Sequence, residues 1–183
     1  MIIDRYGGIG LVMLALLPAA AVVAWALARV RRRAGSPTRS AWRVSLTEVG
    51  IVYGTAPWVW LTMEPGNPAE TGTVSLVPLR DVVTMPPYQV VGNLLVFAVL
   101  GLLIPVRFRA LASVPRVMVV AAFCSLLIEV TQYVVQLGRV ASVDDILLNS
   151  VGAGLAALVS RPWWRRSRGA GTASRREQPR AIA

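Results

Sequence analysis

Apolar runs of bilayer-spanning length, separated by arginine-rich breaks, constrain this chain more than any other feature. A hydrocarbon core of roughly 30 Å takes ~20 predominantly apolar residues per helix. Runs of this kind extend from about Gly8 to Val30, Val44 to Met63, Val90 to Val106, Val117 to Leu137 and Asp144 to Ser160, the last having the shortest strictly apolar part. Lipid offers the backbone no hydrogen-bond partners, so each run must satisfy its own N–H and C=O groups by forming a helix. The expected fold class is all-α, a polytopic transmembrane helical bundle of about five spans.

The charge pattern orients those spans. All 19 basic residues are arginine, and the formal net charge is +10. The arginines stand beside the apolar runs, so the basic balance does not point to nucleic acid as a partner. With the N-terminus outside and the C-terminus cytoplasmic, only Arg5, Arg80 and Arg139 fall on the outer side. That split follows the positive-inside rule, and adding or removing one span would spoil it. The first run has its arginines behind it, the reverse of a secretory signal peptide. The expected location is a bacterial cell membrane, crossed several times, with membrane lipids as the first partners.

The chain then divides into residues 1–43, a first transmembrane helix and a basic, flexible cytoplasmic linker in contact with anionic lipid. Residues 44–74 hold a second helix and the start of an extracytoplasmic loop, residues 75–160 three further helices, and residues 161–183 a basic, disordered cytoplasmic tail. Glu48 is expected in the first turns of the second helix, where a carboxylate favours the helix N-terminus. Trp58 and Trp60 near its end read as interfacial anchors. Between Glu64 and Gln89, prolines and glycines break regular structure, and Ser75-Leu76-Val77-Pro78-Leu79 forms an apolar island suited to the membrane interface. The chain has no His and one Cys, Cys124, which lies in an apolar run and reads as packing. An intrachain disulfide and a multi-cysteine zinc site are excluded, and no metal or cofactor is expected.

Polar residues are costly in a span, and they gather between Glu129 and Asn149. Ser125, Glu129, Gln132 and Gln136 share one helix face, and Asp145, Asn149, Gly152 and Ala156 repeat the same spacing on the next helix. A short turn, Gly138 to Val143, makes these helices antiparallel neighbours, so their polar faces either meet or face lipid at a cost. Asn93 on the preceding helix falls at a similar depth. Structural readings stand beside the functional one. Ser142-x-x-Asp145 is a capping-box variant, Asp144 and Asp145 suit a helix N-terminus, and Gln132, Asn149 and Asn93 suit interhelical hydrogen bonds. The small-residue pairs Gly152/Ala156 and Ser150/Gly154 allow close helix approach. The common depth favours an outward-facing ligand site built from Asn93, Glu129, Gln132, Arg139, Asp144, Asp145 and Asn149.

Glu129-x-x-Gln132, Arg139, Asp144-Asp145, Asn149 and Gly152-x-Gly154 resemble the signature of the VanZ-like membrane protein family. Gly92-Asn93-x-x-x-Phe97-x-x-x-Gly101 is similar to the helix that precedes it in the family, and Ser75–Leu79 to a short motif before that helix. The resemblance covers about Ser75 to Ser160 and implies an association with resistance to the glycopeptide teicoplanin. Two function classes follow. In the first, the site binds a lipid head group, a lipid-linked cell-wall precursor or a lipophilic glycopeptide, with Arg139 as a charged donor. In the second, a membrane-embedded enzyme acts on a lipid-linked phosphate, with Glu129 as general acid or base and Asp144 and Asp145 holding a divalent cation. Without His, a Gly-rich phosphate loop or a nucleophile motif, the enzyme is the weaker reading.

Overall fold

The computed structural model describes residues 2–176, with side chains described for 8–164. Helices α1 (Ile2–Arg33), α2 (Thr38–Thr62), α3 (Pro87–Val96), α4 (Ala98–Arg107), α5 (Val114–Val135) and α6 (Val143–Arg176) account for most of it. Four segments are long and apolar enough to cross a membrane: Gly8–Arg33, Pro87–Arg107, Val114–Val135 and Val143–Trp164. The helix α2 has 25 residues, ample for a span, but it is not among them. Glu48 and several threonines dilute its apolar content, and it buries Ser45, Thr47 and Thr55 against its neighbours. Leu11, Leu14, Val22, Phe123, Val134 and Val159 are exposed on the helices, as a lipid-facing surface requires.

Several boundaries differ from the sequence expectation. The basic linker shrinks to the turn between Arg33 and Thr38, because α2 begins before the apolar run does. Glu48 therefore lies well inside the helix, away from its N-terminus. Its carboxylate instead bonds the guanidinium of Arg31 and that of Arg107, the latter at 2.7 Å, and ties α1, α2 and α4 together. At the other terminus α6 runs past Ser160 to Arg176, so the expected tail is helical over 161–176. Arginine and alanine are good helix formers and extend it. The rest of that tail lies outside the described residues.

The third expected span is divided at Phe97, which has non-helical dihedrals and is buried. Both halves press on α6. An ideal Cβ on Gly152 would lie 2.0 Å from the Leu94 carbonyl oxygen of α3, and one on Gly101 would lie 2.2 Å from the Ala153 carbonyl oxygen. The break lets each half reach backbone contact with the same helix, α6. Pro105 is tolerated near the end of α4, where its missing N–H frees only the Gly101 carbonyl. The core of this packing is Val96, Phe97, Ile104, Val117, Ala121, Ile128, Ala153 and Ala157, with Cys124 against its edge. It is rich in small side chains, as close helix approach in lipid demands.

A two-residue parallel pairing, β1 (Val74–Ser75) with β2 (Ala141–Ser142), joins the long connection to the α5–α6 turn. Ala141 N–H also donates to the Thr73 carbonyl at 3.0 Å, and Gly66 N–H to the Leu137 carbonyl at 2.8 Å. The connection between α2 and α3 is thus laid over one end of the bundle and pinned there.

Candidate functional site

The pinning depends on Asp144. Its side chain is fully buried at the start of α6. One oxygen accepts from Leu79 N–H at 2.5 Å, and the other from Asp81 N–H at 2.8 Å and Val82 N–H at 3.1 Å. These bonds hold Leu79 in the left-handed region, at φ 63°, which a leucine rarely adopts. Charge-assisted bonds from backbone donors are among the stronger ones, and the N-terminus of α6 adds a favourable dipole. Asp144 is a fastener for the loop.

Ser142 precedes α6, and its Oγ accepts from Asp144 N–H at 3.2 Å, as an N-cap does. In a capping box the residue corresponding to Asp145 would reach back to Ser142 N–H. Here Glu129 of α5 takes that donor at 3.0 Å. Asp145 is left to accept from the Asn93 side-chain amide instead. Glu129 is buried, so an apolar replacement strands Ser142 N–H. Glu129→Leu is expected to cost about 1–3 kcal/mol, and Glu129→Gln, which keeps an acceptor, under about 1 kcal/mol. Thermal unfolding in mild detergent distinguishes the two.

The remaining polar positions separate in the same way. Gln132 donates to the Thr62 carbonyl at 2.7 Å and fixes α5 to the end of α2. Asn149 donates to Ser125 Oγ at 2.7 Å, a buried bond across the α5–α6 contact. The two polar faces therefore meet. Gln136 leaves its expected face: it ends α5 in the left-handed conformation, at φ 56°, and is exposed.

A cavity of about 540 Å³ lies under the pinned loop. Of the residues singled out from the sequence, Asn93, Arg139 and Asp145 line it, whereas Glu129, Gln132, Asp144 and Asn149 do not. Its volume lies within the usual range for small-molecule sites. Sequence reasoning passed over Glu70, Asp81, Tyr88 and Gln89, which also line it, and had read Trp58, another wall, only as an anchor. Asp81 follows the apolar island, and nothing in its local sequence shows that the loop folds back onto Ser142. Its Oδ2 accepts from Ser142 Oγ at 2.6 Å. The Ser142 and Ser75 hydroxyls hold the Asp81 carboxyl below the usual carboxylate range. A depressed value adds stability that is present above the unfolded pKa, ~3.9, and is lost as pH falls through the folded one.

Arg139 is half-buried and makes no hydrogen bond or ion pair within bonding distance of another described residue. It acts on Asp145 and Glu129 only through space. No group of three or more His, Cys, Asp or Glu suited to a metal ion occurs among the described residues. Asp144, one half of the cation pair considered above, has both oxygens occupied by backbone donors.

Fold and site together define a multi-pass helical membrane protein with a loop-covered polar cavity at one end of the bundle. The VanZ/LLP1 family model matches residues 45–165, and the chain belongs to that family. The match takes in α2 as well as the segment that carries the motif. No curated protein and no solved structure matched the chain.

Proposed function

We propose that the cavity under the loop binds the polar head group of a lipid-like amphiphile at the outer face of the membrane. The observation that carries this reading is the lining itself. Asn93, Gln89, Asp81 and Asp145 present amide and carboxylate groups beside an arginine, Arg139, that has no bonded partner among the described residues. Such a mixture suits a head group rich in hydroxyls that also bears an anionic group, since carboxylates and amides bond hydroxyls and a guanidinium clamps phosphate or carboxylate. Exposed Leu76, Val77, Leu79 and Val83 beside the cavity give the loop an apolar surface for the membrane interface. The arginine split supports an outward orientation. A lipid-linked wall precursor and a lipophilic glycopeptide such as teicoplanin both have this chemistry, and the family's association with resistance follows if the latter is bound or its target occupied.

The test is binding of two probes, teicoplanin and a polyprenyl diphosphate-linked disaccharide, to the purified chain. Arg139→Gln is expected to weaken the bound probe about tenfold or more, the loss of one charge-assisted pair, without changing thermal stability. Failure of both probes to bind the wild type, or equal binding by the variant, overturns the reading.

A further inference from the structure

The arginine-rich end of the bundle holds a second cavity, of about 460 Å³, between the start of α5 and the last membrane-level turn of α6. Among the described residues, Ser113, Val114, Pro115, Leu158, Arg161 and Trp164 line it, and no described carboxylate does.

Its polar groups are short of acceptors. Ser113 stands at the N-cap of α5, yet its hydroxyl makes no capping bond. Val117 N–H is taken by the Ser113 carbonyl at 3.0 Å, and Pro115 has no N–H. The N–H groups of Val114 and Arg116 have no acceptor among the described residues and stand at the positive end of a 22-residue helix. Independently, Trp164 is 7% exposed and its indole Nε1 is buried with no hydrogen-bond partner among the described residues. Buried indole N–H groups normally find one. Arg161 is exposed and makes no ion pair with a described residue. The guanidinium of Arg116 is engaged by the Ala110 carbonyl at 2.8 Å and adds its charge nearby.

We propose that this cavity binds the phosphate of an acidic phospholipid. A phosphate oxygen accepts from the uncapped turn of α5, a turn of the Trp164 ring brings its buried Nε1 to another, and Arg161 closes on the anion, which is how helix N-termini and guanidinium groups hold phosphates. Membrane position identifies the source. Leu158 and Trp163 are exposed, at 46% and 55%, at the lipid-facing surface of the same helix. The site is separate from the loop-covered cavity and does not depend on what that cavity binds.

The experiment titrates the full purified chain in detergent with dihexanoyl phosphatidylglycerol and, separately, with inorganic phosphate, by calorimetry. Saturable lipid binding is expected, weakened about tenfold or more by Arg161→Gln and by Trp164→Phe. Arg33→Gln, at the same end but off the cavity, is expected to leave it unchanged. Thermal unfolding without lipid verifies that each variant is folded. Equal weakening by Arg33→Gln would mean diffuse electrostatics, and no weakening by the other two would remove the site. Inorganic phosphate binding as tightly as the lipid would overturn the lipid as the source.

Discussion

Substituting valine for Gly152 is expected to prevent the bundle from assembling, and Gly152→Ala to destabilise it by about 3 kcal/mol or more. A Cβ at this position meets the Leu94 carbonyl oxygen at 2.0 Å, with the Leu94 carbonyl carbon and Cα behind it at 2.7 and 2.8 Å. These are backbone atoms, so no side chain can rotate away. Relief requires moving α3 from α6, which also moves Asn93 from Asp145 and opens the cavity wall. Thermal unfolding and size-exclusion profiles in mild detergent measure the effect. Gly10→Ala is the control: a Cβ there meets nothing within 4 Å, and replacing a helical glycine by alanine gains up to about 1 kcal/mol.

The second large effect is expected at Asp144. Replacing it with alanine removes the acceptor of the Leu79, Asp81 and Val82 N–H groups together. The donors are partly buried, so part of the loss is recovered by water, and a total of about 3 kcal/mol is expected. The loop, rather than the membrane helices, bears it. Hydrogen exchange should show protection lost across residues 76–84 with α5 and α6 unchanged. Asp144→Asn keeps one acceptor oxygen and should lose less. If the alanine variant instead retains loop protection and loses only a bound ligand, Asp144 is a ligand contact and not a fastener.

These two positions show what was legible beforehand. Hydropathy located four membrane-spanning segments and the helix α2, which is less apolar than expected, and the arrangement of Glu129, Gln132, Asp145 and Asn149 pointed to α5 and α6 meeting through polar faces, as the Asn149–Ser125 bond shows. The division of labour among those residues was not legible. Spacing along a helix places a carboxylate on a face, but it does not show which donor will fold back onto it. Asp144 and Asp145 are neighbours in sequence, yet one is buried under the loop and the other lines the cavity. The difference is set by Leu79–Val82, about sixty residues away in sequence, whose path has no periodic signal. Glu48 was misplaced for a simpler reason. The apolar run starts at Val44, but the helix starts at Thr38, because polar residues extend a helix as readily as apolar ones.

A loop-covered cavity that opens outward and holds a ligand, as proposed, must be reachable from outside the cell. The direct test places a cysteine at Gln89 on a Cys124→Ser background and treats intact cells with a membrane-impermeant maleimide. Gln89 lines the cavity, and Cys124 is the chain's only native thiol. Labelling from outside is expected, slowed by whichever probe the purified chain binds. Labelling seen only after the membrane is opened would contradict it.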